Sequence, residues 1–574
     1  MIFEIFNSKI NSQVNFYRIP TVLQHNCSLD LCIKPNEDQH LLKQDTPPMT
    51  TTVREAMLDL LRAFKMTTIF GNPGSTELPL FLDFPDDFHY VLGLQEAVVV
   101  GMADGYAQAT RNAAFVNLHS AAGVGHAMGN IFSAHKNRTP MVITAGQQAR
   151  SILPFEPFLF SNQATELPKP YVKWSVEPAR AEDVPLAIAR AYYIAMQQPR
   201  GPVLVSIPAD DWQRTCEPVL PRIVSSEMRA DPHVLGLVGD ALDQALRPAF
   251  VVGAAVDRDQ AWDAVVQLAE RHNAAVWVAP MSGRCSFPED HHLFAGFLPA
   301  MREKIVALLG GHDVIFALGA PAFTYHVEGT GPHVPAGAEL VQLIEDPQTA
   351  AWAPTGTSAV GGIRLSVMDL LARPAPSNLA QRTSPAPRAP PPRAAPSPLM
   401  SVAFVLQTLA QLRAPDSIVV EEAPSARSVM HRYLPITHSG TFYTMCSGGL
   451  GHSMPAAVGV ALAQPDRQVI ALIGDGSAMY SIQALWSAAQ LRLPITFIIL
   501  KNRRYAALQD FAPAFGFKPG EVLQGTDLPD LDFTALAHGQ GCAAVTVSDP
   551  ALLAGVLHDA LAATQPTLVE VDVA

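Results

Sequence analysis

The chain reads as an α/β protein of three doubly wound parallel-sheet domains. Apolar runs of strand length alternate with helical stretches along most of the 574 residues. The runs are continuously apolar rather than alternating, as strands covered on both faces are. The pattern breaks once, late in the chain, at a stretch dense in Pro, Ala and Arg, which marks a linker.

The segments follow in order. Residues 1–48, rich in Ile, Asn, Phe and Lys at their start, differ in composition from the rest and are expected to form a disordered N-terminal extension without a compact signal-peptide core. Met49 opens the first folded domain, 49–230. Its first helix is predicted to start at Thr51 or Thr52, with Glu55 closing a capping box. Strands are predicted at 67–71, 89–94, 114–120, 140–146 and 202–208. A central α/β domain, 231–372, has strands at 249–255, 274–280, 313–320 and 338–346. Residues 373–399 form the solvated linker. The third domain, 400–574, has strands at 417–422, 468–474, 495–502 and 566–573. No short-period repeat is visible.

Composition narrows the function classes. Lys and Arg number 39 against 52 Asp and Glu, a net charge of −13, which disfavours a nucleic-acid surface. No apolar run reaches the ~18 residues needed to span a bilayer. The six cysteines are scattered without a CxxC pair, which fits a reducing, cytoplasmic setting and excludes a Cys-type zinc site.

The chemistry is concentrated in the third domain. A strand ends in Gly474-Asp475-Gly476-Ser477, a helical segment follows, and the next strand ends in Lys501-Asn502, 27 residues after Asp475. In an open parallel sheet, ligands bind beyond the carboxyl ends of strands. A carboxylate plus an amide oxygen suits Mg²⁺ shared with phosphates. Backbone N–H groups at Gly476 and the following helix suit a diphosphate. GDG alone is a common turn; the strand–GDG–helix–strand–Asn arrangement is far more specific. In the first domain, Glu96 follows a strand and opens an apolar helix, a place that also suits a simple N-terminal helix acid.

This arrangement resembles the thiamin-diphosphate (ThDP) fingerprint, with Lys501 in place of its first Asn. At closer range the chain is similar to the benzoylformate decarboxylase family from about Met49 to the C-terminus. FGNPGSTELPLFLDFPDDFHYVLGLQEAVVVGMADGYAQA, FVNLHSAAGVGHAMG, TAGQQAR, YVKWSVEPA, VWVAP, GAPAFTYH, CSGGLGHSMPAAVGVALA and VIALIGDGSAMYSIQALWSAAQ carry the resemblance. It implies that the three domains are pyrimidine-binding, central and diphosphate-binding. It implies ThDP and Mg²⁺ (or Ca²⁺ in its place), with Asp475, Asn502 and the backbone carbonyl of Arg504 as metal ligands. Gly474, Gly476, Ser477 and Tyr505 would contact the cofactor. The Gly448 carbonyl would accept from the aminopyrimidine, and Leu450 would hold the two rings in a V. Glu96 would activate the cofactor from a partner subunit, making a homodimer the minimal unit and a homotetramer the expected assembly.

For substrate, the resemblance implies that Ser75 meets the carboxylate and that His119 and His326 handle protons. Each alone would read as a turn hydroxyl or a structural histidine. Pro73, Leu159, Ala507 and Phe511 fall at pocket positions. Phe158, Pro424, Thr444 and Asp510 depart from the family's usual Leu-like, Thr, Phe and Trp residues. Arg503 and Arg504 read equally as diphosphate neighbours or surface arginines. The expected reaction is non-oxidative decarboxylation of an aromatic 2-oxo acid, benzoylformate to benzaldehyde and CO₂, through an enamine on the cofactor, with carboligation as a side activity. The alternatives are an acetolactate-synthase-like carboligase and a degenerate ThDP-binding protein. No dinucleotide fingerprint is visible between 231 and 372, so no FAD is expected.

Overall fold

A computed structural model describes residues 50–518 and 520–574. The expected disordered extension lies outside the described residues. The first helix, α1 (Val53–Ala63), starts at Thr52 with the capping box closed by Glu55, as its sequence predicts.

Three six-stranded sheets follow, each wholly parallel. The first contains β1 (Thr68–Gly71), β2 (His89–Leu92), β3 (Ala114–Leu118), β4 (Met141–Gln147), β5 (Ser175–Val176) and β6 (Pro202–Pro208), in the order 2-1-3-4-6-5. The second contains β7 (Pro248–Val252), β8 (Ala275–Val278), β9 (Phe294–Phe297), β10 (Val314–Leu318), β11 (Glu339–Ile344) and β12 (Thr357–Val360), in the order 9-8-7-10-11-12. The third contains β13 (Ile418–Glu422), β14 (Phe442–Thr444), β15 (Val469–Gly474), β16 (Ile495–Lys501), β17 (Ala543–Val547) and β18 (Thr567–Asp572), in the order 14-13-15-16-18-17. Counted from its own first strand, the third sheet repeats the order of the first. The chain therefore carries a structural duplication that no short-period repeat betrays. The central sheet instead has the 3-2-1-4-5-6 order of dinucleotide-binding folds.

The first and third domains share one apolar core, in which Phe70, Val98, Val116 and Ile143 pack with Val420, Val458, Ala471 and Phe497. Two helices seal it: α2 (Glu96–Thr110) and, from the third domain, Ser453–Ala463. Both are apolar almost all round, as helices covered on every side are. They cross at small residues. A Cβ on Gly105 would lie 2.0 Å from the Ala456 carbonyl oxygen, and one on Gly459 would lie 1.8 Å from the Met102 carbonyl oxygen. Main chain therefore touches main chain there.

A buried polar network pins the same crossing. His452 Nε2 lies 2.7 Å from Asp104 Oδ2, both side chains fully buried. Thr139 and Gln108 also donate to Asp104. Burial pushes the Asp104 carboxyl up, but the His452 charge and these donors outweigh it, and the net direction is down. Burial pulls His452 down, but Asp104 and Glu422 outweigh it and hold it above its ordinary value.

Residues 373–399 carry one short 3-10 turn, Leu379–Gln381, and are not simply solvated. Arg382 is buried and donates to the His272 and Leu242 carbonyls at 2.7 and 2.8 Å. Arg373 pairs with Asp240 and Asp243, and the Gln407 amide brackets Ala394. Arg382 thus reaches helix-end carbonyls of the central domain, which need donors.

Candidate active site

The topology gathers most of the sequence-predicted residues into two groups, each beyond the carboxyl ends of neighbouring strands, and leaves His326 on the central domain. In the first sheet, β2, β1 and β3 are adjacent. They deliver Glu96, the Pro73–Glu77 turn and His119. The chain changes direction between β1 and β3, and the crevice at such a point is where open α/β sheets bind ligands. In the third sheet, β13, β15 and β16 are adjacent and deliver Ala423–Arg427, Asp475 and Asn502.

His119 is the N-cap of α3 (Ser120–Asn137). Its Nδ1 lies 2.9 Å from Glu77 Oε2 and 3.1 Å from Thr76 Oγ. Glu77 is itself buried, accepts from the Gly74 N–H at 2.7 Å and from the Thr76 hydroxyl at 2.7 Å. The turn must be glycine at 74, because a Cβ there would fall 2.2 Å from the imidazole. His119 is thus fixed by a buried carboxylate, with Ser75 exposed beside it. Glu77 is absent from the sequence-predicted set. Its signal was a lone carboxylate between the NPGS turn and the apolar LPLF run.

Glu96 is the first residue of α2, and the Gln95 side chain caps the helix by accepting from Ala97 and Val98 N–H. The Glu96 carboxylate is almost wholly buried, with Oε2 held 3.1 Å from His126 Nδ1. Its other oxygen faces Gly123, where a Cβ would stand 3.3 Å away.

The Gly448–Leu450 loop is held by one face of α3. Asn130 donates to the carbonyls of Ala97 and Gly451, at 2.6 and 3.2 Å. Ser133 meets Ser447 at 2.9 Å, and Asn137 accepts from the Cys446 N–H at 2.9 Å. These three polar residues recur at i, i+3 and i+7, one stripe of a helix. Sequence reasoning passed over them, although that spacing was readable. Glu422 completes the loop from below, accepting from the N–H groups of Gly451, His452 and Ser453.

In the third domain, Asp475 is buried. Its oxygens accept only backbone N–H groups, from Gly476 at 2.8 Å and Arg503 at 2.6 Å. Burial raises its carboxyl, and these N–H groups offset only part of the rise. Asn502 Oδ1 accepts from the Arg504 N–H at 3.1 Å. Tyr505 packs over Gly476, where a Cβ would meet its ring at 2.4 Å. The residues present fit a metal–diphosphate group: a desolvated carboxylate with no cationic side chain paired to it among the described residues, an amide oxygen beside it, and a glycine turn that keeps the approach open. Arg503 does not point to this group, since its guanidinium pairs with Asp572 at 2.7 Å. Arg504 forms an isolated antiparallel bridge with Asp527.

His326, on the loop after β10, packs its ring 4.5 Å from that of Phe511. Phe511 ends the short helix Ala506–Phe511 of the third domain, which also carries Ala507. Central and third domains thus meet at the predicted pocket. Leu159 and Arg503 hold left-handed backbone, φ 66° and 60°, strain of the kind that collects at functional sites. Phe155 and Phe158, beside Leu159, are 80% and 86% exposed.

Comparison with known proteins gives concordant matches. Residues 51–165 match the thiamine pyrophosphate enzyme N-terminal TPP binding domain, 237–370 the central domain, and 425–571 the C-terminal TPP binding domain. The chain is 46% identical to a benzoylformate decarboxylase of Pseudomonas aeruginosa, over 91% of this chain and 98% of that protein. It is 29% identical to an acetolactate synthase large subunit of Parasynechococcus marenigrum, over 92% of this chain and 88% of that one. Among solved structures it is similar to a thiamine diphosphate-dependent 4-hydroxybenzoylformate decarboxylase of Rhodococcus jostii, with TM-score 0.87, 41% identity and coverage of 91% and 99% of the two chains. A benzoylformate decarboxylase from Polynucleobacter necessarius gives TM-score 0.85, 39% identity and coverage of 91% and 98%.

Proposed function

The chain belongs to the thiamine pyrophosphate enzyme family, and from that premise we propose that it is a carboxy-lyase converting benzoylformate to benzaldehyde and CO₂. The observation that carries this reading is the pair of histidines. His119 is locked by Glu77 beside Ser75, and His326 lies against Phe511. Both stand in a chain 46% identical to a benzoylformate decarboxylase.

When bound, thiamin diphosphate supplies the electron sink that lets the carboxylate leave as CO₂. The protein supplies position and protons. Asp475, Asn502 and the Arg504 carbonyl would hold Mg²⁺ (or Ca²⁺), with Gly474, Gly476, Ser477 and Tyr505 around the diphosphate. Gly448 and Leu450 would seat the aminopyrimidine, and Glu96 would hold a proton at its ring nitrogen. The Ser75 hydroxyl orients the substrate carboxylate. His119 gives a proton to the oxygen that was the ketone. His326 gives one to the carbon from which CO₂ departs, and the aldehyde leaves. Pro73, Leu159, Ala507 and Phe511 enclose the aryl group.

The two groups of residues stand on different sheets. We assign their union to a homodimer in which Glu96 of one copy serves the cofactor held by Asp475 of the other, with two dimers forming a tetramer. The exposed Phe155 and Phe158 support burial against a second copy. Among the described residues no helix is long and apolar enough to cross a membrane. The four described cysteines are free thiols, in keeping with a cytoplasmic enzyme.

The test is benzaldehyde and CO₂ release from benzoylformate with ThDP and Mg²⁺, beside Glu96→Gln and with pyruvate as competitor. Turnover that the variant loses supports the reading. Preference for pyruvate with acetolactate as product would replace it with a carboligase.

A further inference from the structure

We propose that Ser447 is a positioning residue for the cofactor loop, its hydroxyl holding the Gly449 N–H so that the Gly448 carbonyl stands free to meet the aminopyrimidine. This rests on the reading of that carbonyl as the ring's acceptor. The loop is pinned at both ends. The Cys446 N–H donates to Asn137 at 2.9 Å, while Gly451 donates to Glu422 at 2.6 Å and accepts from Asn130 at 3.2 Å. Between those points Ser447 makes a third pin, its Oγ accepting from the Gly449 N–H at 3.1 Å. The direction of the hydroxyls follows from their neighbours. Ser133, buried on α3, donates to the Gly129 carbonyl one turn back at 3.2 Å. A hydroxyl has one proton. The 2.9 Å contact between the two serines is therefore made by the Ser447 proton, which leaves the Ser447 lone pairs to the Gly449 N–H.

The Gly448–Gly449 peptide is planar and trans, so its carbonyl points opposite to its N–H. With the N–H turned to Ser447, the carbonyl is turned away from Ser447 and from α3. Among the described residues no group donates to it. Gly448 holds φ 74°, and a Cβ there would meet nothing within 4 Å. Glycine therefore serves the backbone angle at 448 and not the need for room. A Cβ on Gly449 would stand 3.4 Å from Ser447 Oγ and 3.9 Å from Ser133 Oγ, so Gly449 lies alongside both hydroxyls. A peptide with glycine on either side turns over more easily than any other, because neither flanking residue resists the change of dihedral angles. Ser447 supplies the restraint that the two glycines lack: α3 orients the hydroxyl, and the hydroxyl orients the peptide.

Two readouts test this. In the protein without cofactor, hydrogen exchange at the Gly449 amide should lose its protection in Ser447→Ala and keep it in Ser447→Thr, which retains the hydroxyl. Calorimetry with Mg²⁺ then compares thiamin diphosphate with oxythiamin diphosphate, which carries oxygen in place of the ring's 4′-amino group. The parent should prefer thiamin diphosphate, because a carbonyl accepts from an amino group and repels an oxygen. Ser447→Ala should shrink that preference by up to about tenfold, as expected for one hydrogen bond, and Ser447→Thr should restore it. Ser133→Ala should shift it the same way by less. Equal weakening of both ligands in Ser447→Ala would mark a merely structural serine and overturn the proposal. If the parent itself shows no preference, the reading of the Gly448 carbonyl falls; if the parent discriminates and Ser447→Ala does so as fully, only this inference falls.

Discussion

Replacing Glu77 by Gln should cost catalysis about tenfold while leaving the fold intact. Oε2 of Glu77 accepts from the Gly74 N–H and from His119, and Oε1 accepts from Thr76. A glutamine with its carbonyl oxygen at the Oε2 position keeps the first two bonds. The Thr76 hydroxyl can turn to accept from the new amide, so it keeps a partner on residue 77. What disappears is the charge. A hydrogen bond to a charged group contributes about 1.5–3 kcal/mol and a neutral one about 0.5–1.5. The difference, about 1–1.5 kcal/mol, is roughly tenfold in the step that uses His119. Glu77→Ala should behave differently. It leaves the Gly74 N–H and the imidazole without their acceptor, at about 1–3 kcal/mol each, and should lower the melting temperature as well as kcat. The assay is kcat on benzoylformate beside thermal melting for both variants. A Glu77→Gln enzyme with unchanged kcat and parent stability would refute the claim that this carboxylate acts through His119.

Three further outcomes follow from the geometry. Asp475→Asn should abolish the thermal stabilisation gained on adding ThDP and Mg²⁺, which for the parent at a hundredfold excess over Kd is about 2.7 kcal/mol; an undiminished shift would place the metal elsewhere. Gly459→Ala should melt well below the parent, because ordinary contact begins at 3.4 Å and the new methyl would sit 1.8 Å from the Met102 oxygen, an overpacking cost at the upper end of ~1–3 kcal/mol. The His452–Asp104 pair should make stability depend on pH. His452 is raised above its ordinary 6.5, so its contribution is complete below that value and is lost as pH rises through the raised one. Asp104 is lowered from 3.8, so its contribution is present above that value and is lost as pH falls through the lowered one. His452→Phe should flatten the alkaline limb, and a melting profile identical to the parent's would contradict the pairing.

The central strands were legible because they are continuously apolar: β6 spans Pro202–Pro208, the run read from sequence, and β13, β15 and β16 begin or end within a residue of their predicted limits. Five strands at sheet edges, β5, β9, β12, β14 and β17, left no such trace. An edge strand has one neighbour and more contact with solvent, so it need not be a continuous apolar run; β12 and β17 are largely half-exposed or exposed. The same logic governs the site. Asp475, Asn502 and Glu96 were legible because each sits where an apolar run stops. Glu77 was not, because what singles it out is a contact with a histidine 42 residues away. The topological twinning of the first and third sheets was invisible for a related reason: strand order is a property of pairing and leaves no period in the residues.

The glycine crossing has a mechanical consequence. Side chains at an ordinary helix contact have rotamers, and rotamers are slack: neighbours can drift and repack. Where carbonyl and Cα atoms abut, as at Gly105 and Gly459, that slack is gone. The crossing acts as a hard stop between the helix that begins at Glu96 and the helix that follows the Gly448–Leu450 loop. A change of substrate would therefore have to come from segments outside the crossing, such as Phe155–Leu159 and the turn from Arg503 to Phe511, while the spacing of the joint itself stays fixed.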